Sequence, residues 1–245
     1  MSRNELVQDL QARLAARADP SSHAWWERYL EGAAPFRGVR TDQILKAVQE
    51  WCGQHDLSGL GVDEELEIAL TLIREPMTED KLAGMLYIQG HILPRNAVSW
   101  ETVLPVWEGV FTDGSLAEKN VCDWFAMKVL GPLARQAGEP CARAIAGWSH
   151  ADNVWQQRAS IMAFAEDARN GEETFPGFVA MLLDACDRVV QNPDPVAQSA
   201  VGRVLRELSV AEPAKVQSFV LRNFSLMSPD AVREATKKKT AGSAH

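Results

Sequence analysis

The sequence predicts an all-α fold, and three observations support that prediction. Ala, Leu, Glu, Gln and Arg dominate one segment after another, with apolar residues three and four apart, which is the spacing of amphipathic helices. The 245 residues include only two tyrosines and few of the β-branched alternations that mark strands. Apolar residues make up 46% of the chain and charged residues 24%, which is typical of a globular protein.

Helix starts are predicted wherever a capping residue precedes an acidic residue or a proline. In chain order these signals are Thr41-Asp42, Thr78-Glu79-Asp80, Ser115 with Glu118, Asp152, Asp194-Pro195 and Ser228-Pro229. Glycine and proline mark breaks at residues 59–61, 113–114, 138–140, 170–171 and 192–195. Together they divide the chain into about a dozen helices of ordinary length.

A weak internal repeat favours a superhelix of helix pairs over a bundle or a globin-like packing. Residues 120–124 are echoed 33 residues later by residues 153–157, and residues 154–156 are echoed 42 residues later by residues 196–198. Periods in this range belong to helix-pair repeats, whose inner helices line a concave surface. No long linker divides the chain, so we expect one domain over residues 1–236 and a disordered tail over residues 237–245.

The net charge and the cysteine content restrict the functions that the chain can have. The formal net charge of −8 argues against bulk, non-specific adhesion to nucleic acid, but it leaves room for a local basic groove. The four cysteines are far apart and form no Cys-x-x-Cys pair, so we expect reduced thiols, no disulfide framework and no metal site. The N-terminus is polar, and the chain has no apolar run of about 20 residues. Both features argue against secretion and membrane insertion.

Three segments carry candidate functional residues, and each also has a purely structural interpretation. In residues 28–39, Tyr29 is either a half-buried core aromatic or a functional group, and Arg37 lies in the turn that follows. In residues 119–131, Val121, Cys122, Phe125 and Val129 form an apolar helical stripe with Asp123 beside it. Asp123 is then either an exposed partner of Lys119, four residues earlier, or a buried acid at the floor of a cleft.

The third segment, residues 152–160, begins with a capping Asp152 and places Trp155 and Arg158 on one side of a helix. Arg158 is either part of a structural ion pair or a ligand for phosphate. Arg203 and Arg206 add two cations at helical spacing further along the chain. Basic residues on successive inner helices would line a concave face even in an acidic protein.

Taken together, these segments resemble the bacterial DNA alkylation repair family, the AlkD-like DNA glycosylases built from HEAT-like helical repeats. The resemblance runs from about Trp25 to Lys237. It is most specific at Tyr29 with Phe36-x-Gly38-Val39, at Cys122-Asp123 with Val129-Leu130-Gly131, and at Asp152-Asn153-x-Trp155-x-Gln157-Arg158. Residues 202–207, Gly-Arg-Val-Leu-Arg-Glu, also match a family segment.

The resemblance implies a single-domain α-α superhelix with a concave face that binds double-stranded DNA. It implies hydrolysis of the N-glycosidic bond of cationic N3- or N7-alkylated purines without base flipping, by a monomer that needs no cofactor and no metal. Asp123 falls on the family's catalytic acid, Arg158 on the arginine that accompanies it, and Tyr29 on a tyrosine beside the lesion. The implied location is the cytoplasm, and the nucleoid when the protein is bound to DNA.

The remaining expected DNA contacts are Lys119, Trp155, Arg203, Arg206, Arg37 and Lys128. Two positions depart from the family pattern. Well-studied members have a tryptophan four residues before the catalytic acid, where this chain has Lys119, and another in the helix that carries Arg203. Two other functions therefore stay open: a family member that binds damaged or branched DNA without chemistry, and a HEAT-like scaffold that grips a protein helix.

Overall fold

The computed structural model describes residues 2–30, 35–55 and 57–237. Within them the chain forms fourteen α-helices and no strand, which confirms the all-α prediction. The helices group into two compact units, Met1–Gln136 and Ala137–His245. The single domain over residues 1–236 stays a prediction, and most of the expected tail, residues 238–245, lies outside the described residues.

The first unit is built from eight helices. They are α1 (Arg3–Ala15), α2 (Pro20–Leu30), α3 (Thr41–Gln54), α4 (Val62–Arg74), α5 (Thr78–Tyr87), α6 (Trp100–Thr112), α7 (Lys119–Phe125) and α8 (Gly131–Ala137). Helix α1 packs on α3 and α4, and α5 packs on α3, α4 and α7. Helices α4 and α5 approach each other closely at Gly84. A Cβ there would lie 2.5 Å from the carbonyl oxygen of Ala69, so the position requires glycine.

Two helices of the first unit contain a π-helical turn. Helix α5 continues into a π turn over Ile88–Ile92 and a 3₁₀ turn over Leu93–Arg95. Helix α7 continues into a π turn over Ala126–Leu130, which leads into α8. The two π turns contact each other. Such turns interrupt the regular side-chain spacing of a helix and are frequent at functional sites.

Large aromatic side chains fill the core of the first unit. Trp51 and Tyr87 are fully buried, with ring centroids 5.2 Å apart in an edge-to-face arrangement. The indole N–H of Trp51 donates to the carbonyl oxygen of Leu6, at 3.1 Å. This bond joins α3 to α1. It also gives the buried indole N–H a hydrogen-bond partner in place of water.

The second unit holds the remaining helices. They are α9 (Glu139–Gly147), α10 (Val154–Met162), α11 (Phe178–Val189), α12 (Pro195–Leu208), α13 (Pro213–Arg222) and α14 (Pro229–Ala235). Helix α10 packs on α11 and α12, and α12 packs on α14. A Cβ at Gly202 would lie 3.0 Å from the Cα and carbonyl oxygen of Ala231, so a small residue is needed where α12 crosses α14.

Several predicted helix starts are confirmed, and others shift by one residue. Asp194 and Ser228 cap α12 and α14, and each is followed by a proline at the first helical position. Helices α3 and α5 instead begin at Thr41 and Thr78, so neither threonine is the cap. Thr78 has a tertiary partner, because its backbone N–H and its hydroxyl both donate to the carbonyl oxygen of Pro35, at 2.9 and 3.1 Å.

All four cysteines are free thiols, as the sequence predicts, and three of them are buried. Across the described ranges, no helix has the length and apolar character that crossing a membrane requires.

Candidate functional site

Helix α7 positions Asp123, and its N-terminus is fixed by Glu118. The Glu118 carboxylate accepts hydrogen bonds from the backbone N–H groups of Asn120, at 2.9 Å, and Val121, at 3.1 Å. The prediction that Ser115 caps this helix is therefore wrong: Glu118 is itself the cap rather than the third residue of a capping box. A carboxylate here also complements the positive end of the helix dipole.

Asp123 is buried, with 6% of its surface exposed. The predicted apolar stripe of α7 is confirmed, since Val121, Cys122 and Phe125 are buried beside it. The ring of Phe125 packs edge-to-face on Trp107, with centroids 5.5 Å apart. Of the two interpretations of Asp123, an exposed partner of Lys119 is excluded, because the carboxylate lies inside the helix packing while Lys119 is exposed.

The residues after Asp123 depart from regular helix. Trp124 is half-buried, and its indole N–H is shielded from solvent without a hydrogen-bond partner among the described residues. Buried donors without partners are rare because each costs about 1–3 kcal/mol. The π turn over Ala126–Leu130 follows directly and carries the half-buried Lys128. Asp123, Lys119 and Lys128 therefore lie along one nearly continuous helical segment.

Arg37 is held inside the first unit by buried acids. Its guanidinium forms a bidentate pair with Asp80, with Nη1–Oδ1 and Nη2–Oδ2 distances of 2.6 and 2.8 Å. The fully buried carboxylate of Glu79 accepts hydrogen bonds from the backbone N–H groups of Arg37, Gly38 and Val39, at 2.8–3.0 Å. The segment that the sequence singled out after Tyr29 is thus pinned to the first turn of α5.

Tyr29 can be placed only by its backbone, which lies in α2. Its side chain lies outside the described part of the structure, so its predicted position beside the lesion stays a prediction.

Helix α10 begins at Val154 and is capped by Asn153. The Asn153 side-chain oxygen accepts hydrogen bonds from the backbone N–H groups of Trp155 and Gln156, at 2.9 and 3.1 Å. The prediction that Asp152 caps this helix is wrong by one residue, and Asp152 is exposed. Trp155 is half-buried in the first turn.

Arg158 is completely buried in the second unit, with 0% of its surface exposed. Its Nη1 donates to the carbonyl oxygen of Val196, at 2.7 Å, and to the hydroxyl of Ser199, at 2.9 Å. Both acceptors belong to the first turns of α12, so the guanidinium joins α10 to α12. In this arrangement a phosphate in solvent has no direct access to Arg158.

The two arginines predicted on α12 differ in their surroundings. Arg206 forms ion pairs with Glu234 of α14 and with Glu207, the latter at 3.0 Å. Its Nε is buried and lacks a hydrogen-bond partner within the described residues. Arg203, one turn earlier, is half-buried. The structure therefore brings Trp155, Arg158, Arg203 and Arg206 onto two packed helices, α10 and α12.

Sequence reasoning missed the buried acids of the first unit other than Asp123. Glu79 and Asp80 were interpreted only as helix-start residues after Thr78, although their partner Arg37 was itself a candidate. A further buried acid, Glu65, lies near the start of α4 and binds Tyr87 and Arg95. No group of three or more metal-ligating side chains occurs in residues 2–30, 35–55 and 57–237.

Comparison with known proteins finds a family match and similar solved structures. Residues 10–238 match the model of a protein family described as DNA alkylation repair enzyme. Among solved structures, the chain is similar to one described as a predicted DNA alkylation repair enzyme from Enterococcus faecalis, with 16% identity and a TM-score of 0.70. The alignment covers 92% of this chain and 98% of that one, and it confirms the predicted fold class. No curated protein sequence matches the chain.

Proposed function

The chain belongs to the DNA alkylation repair enzyme family, and from that premise we propose that it is a DNA glycosylase acting on duplex DNA. The family match confirms the resemblance found in the sequence and indicates an enzyme of DNA alkylation repair, with DNA as its partner. The proposed substrate is a purine alkylated at N3 or N7. The proposed reaction is hydrolysis of its N-glycosidic bond without base flipping.

The observation that carries the proposal is the burial of Asp123 on α7. This residue falls on the family's catalytic acid, and only 6% of its surface is exposed. A carboxylate that is largely shielded from water interacts more strongly with a developing positive charge than one in bulk solvent. Its placement therefore suits electrostatic stabilisation of a cationic transition state.

One carboxylate is sufficient for this chemistry because the substrate base is already cationic. When the bond between the sugar C1′ and the purine nitrogen breaks, the bonding electrons pass to the purine, which leaves as a neutral base. No second acid is needed to protonate the leaving group, unlike in ordinary glycoside hydrolysis. Asp123 stabilises the oxocarbenium-like sugar, orients a water toward C1′ and accepts its proton.

A reaction without base flipping avoids the unstacking cost of extruding a nucleotide, which is a few kcal/mol. Affinity then comes mostly from phosphate contacts, and each contact makes the slope of log affinity against log salt concentration more negative by about 0.9. We assign phosphate contact first to Lys119, which is exposed on the same helix as Asp123. Lys128, Trp155, Arg203 and Tyr29 remain proposed contacts.

Arg158, Arg37 and Arg206 take a different place in the proposal. Arg158 is fully buried and hydrogen-bonded to α12, so we propose that it acts by holding α10 against α12 rather than by gripping a phosphate in solvent. Arg37 and Arg206 are engaged by carboxylates. A phosphate that contacted either of them would have to compete with those carboxylates.

The proposal is tested by incubating the protein with duplex DNA that contains 7-methylguanine and measuring free base by chromatography. We expect release by the wild type and a loss of about 10²–10³-fold in the Asp123→Asn variant, the cost of removing one preorganised electrostatic group. Asp63→Asn is the matched control, because Asp63 is an exposed acid in the first turn of α4. It should release base at the wild-type rate.

A second candidate function is DNA binding without chemistry, and Lys119 favours it. This exposed cation stands where the family has a tryptophan, so the contact with the sugar and backbone of a lesion is changed. A binder would shift duplex DNA in a gel at low salt but release no base from any alkylated duplex. A protein-binding scaffold would do neither.

A further inference from the structure

The first unit contains a cavity that the proposed reaction does not use. Its volume is about 450 Å³, within the range of small-molecule sites. It lies between the end of α3, the start of α4 and the π turn after α5, and its lining includes Cys52, His55, Glu65, Tyr87, His91 and Arg95. No residue assigned above to DNA or to catalysis lines it.

An ion pair between a buried acid, Glu65, and an exposed arginine, Arg95, forms one wall of this cavity. Glu65 is 1% exposed, and its carboxylate accepts hydrogen bonds from the hydroxyl of Tyr87, at 2.9 Å, and from Nη1 of Arg95, at 2.9 Å. Arg95 Nη2 donates to the same carboxylate. An ion pair with an exposed partner contributes little to stability, so its place in the wall of a cavity points to a binding role.

Three other groups of the cavity, Cys52, Tyr87 and His91, favour their uncharged forms. Burial raises the pKa of the Cys52 thiol to about 12, so the thiol is not a nucleophile at neutral pH. Burial and the bond to Glu65 raise the pKa of Tyr87. Burial, together with the nearby Arg95, lowers the pKa of His91, so the His91 imidazole is neutral at pH 7.

Two of the lining side chains, His91 and Arg95, have hydrogen-bonding groups that can still take a partner. Neither imidazole nitrogen of His91 has a hydrogen-bond partner within the described part of the chain, and the ring lies 5.8 Å from that of Tyr87. A neutral imidazole offers one donor and one acceptor. Arg95 uses two of its five N–H donors on Glu65, and 41% of its side chain is exposed.

From these contacts we propose that the cavity binds an uncharged, planar nitrogen heterocycle of nucleobase size. The charges of Glu65 and Arg95 compensate each other, which gives no net attraction for a phosphate or a cation. The flat rings of His55 and His91 and the side chain of Leu57 offer walls for a ring system. A purine carries both donor and acceptor groups on its edges, and a group of either kind can pair with one nitrogen of His91. This proposal does not rest on the proposed glycosylase function.

The test is calorimetric titration of the full chain with adenine, and in parallel with AMP. We expect adenine to bind and AMP to bind about tenfold more weakly or not at all, because the described lining residues offer no uncompensated cation for its phosphate. His91→Phe keeps the flat wall and removes both hydrogen-bonding nitrogens, so adenine affinity should fall about tenfold. His150→Phe, an exposed histidine of the second unit, should leave it unchanged.

A second variant tests the charge argument. Glu65→Gln leaves Arg95 without its compensating carboxylate, so the preference should move from adenine toward AMP. Thermal unfolding of each variant verifies that it is folded. The proposal is overturned if adenine gives no binding up to about 1 mM, or if His91→Phe binds it as the wild type does. It is also overturned if Asp123→Asn, rather than His91→Phe, abolishes binding, because the ligand then occupies the proposed catalytic site.

Discussion

The two compact units satisfy their buried polar groups in different ways. In the first unit the buried carboxylates of Glu65 and Asp80 meet arginines, and that of Glu79 meets three backbone N–H groups. In the second unit Arg158 donates to a carbonyl and a hydroxyl, and the buried amide of Gln198 bonds two carbonyls and one backbone N–H. The first unit thus buries acids, and the second mostly buries amides and hydroxyls.

This difference shows that burial alone does not identify a catalytic acid. Glu79 is even less exposed than Asp123, yet its oxygens are occupied by the backbone of residues 37–39, which is a structural task. We propose Asp123 as the catalytic acid instead, because it resembles the family's motif position and because the exposed Lys119 lies one turn before it. Variants of Glu79 should therefore change stability, whereas variants of Asp123 should change the rate of base release.

The largest stability effect is expected from Glu79→Gln. Substitution replaces charge-assisted hydrogen bonds from three backbone N–H groups by weaker neutral ones, so the free energy of unfolding should fall by about 3 kcal/mol. Chemical denaturation measures this directly. Glu64→Gln is the matched control, because Glu64 is an exposed acid of α4 and should change the free energy by less than about 0.5 kcal/mol. Equal losses of unfolding free energy in the two variants would show that the buried Glu79 carboxylate contributes no more to stability than an exposed acid.

A smaller effect is expected from Gln198→Leu in the second unit. Gln198 Nε2 donates to the carbonyl oxygens of Val190 and Asn192, at 2.8 and 2.9 Å, and its Oε1 accepts from the backbone N–H of Ser228, at 2.8 Å. Leucine fills similar space but removes the partner of one buried and two part-buried backbone groups, so we expect a loss of about 2 kcal/mol.

The control for this variant is Gln191→Leu, at an exposed residue whose amide donates to one carbonyl. If its denaturation midpoint falls as far as that of Gln198→Leu, the amide network does not hold the second unit together.

The smallest effect concerns acid sensitivity, which we expect to be concentrated in the first unit. Hydrogen bonds from Ser21 and Ser22 lower the pKa of Asp19 to about 2. A lowered carboxyl pKa contributes stability above the ordinary value of 3.8, and that contribution is lost as the pH falls toward 2. Asp19→Asn should therefore be less stable than the wild type at about pH 6, and the difference should shrink below about pH 3.

Denaturant titrations at the two pH values test this sign. A difference that stays constant with pH would show that Asp19 contributes no proton-linked stability. Asp230→Asn, at an exposed acid of α14, is the control and should show no such change.

The sequence predicted those features that depend on neighbouring residues. The all-α fold, the caps at Asp194 and Ser228 and the apolar stripe of α7 follow from propensity, capping chemistry and periodicity. The same signals placed Asp123 and Arg158 on helices, which are α7 and α10 in the structure.

What the sequence did not predict depends on partners that are distant in the chain. Asp80 lies 43 residues from Arg37, and Glu65 lies 30 residues from Arg95. Nothing in their local patterns indicates these pairs. The prediction of Thr78 as a cap was wrong for a similar reason, because its hydroxyl donates to the carbonyl oxygen of Pro35, which is distant in the chain. The full burial of Arg158 likewise depends on α12, which local spacing does not place.

The most direct test compares the rates of 7-methylguanine release by Asp123→Asn and Glu79→Gln under single-turnover conditions, each normalised to the folded fraction. We expect Asp123→Asn to slow release about 10²–10³-fold per folded molecule, and Glu79→Gln to release base at the wild-type rate despite its lower stability. Wild-type release by Asp123→Asn, or equal slowing of both variants, would contradict the proposed role of Asp123.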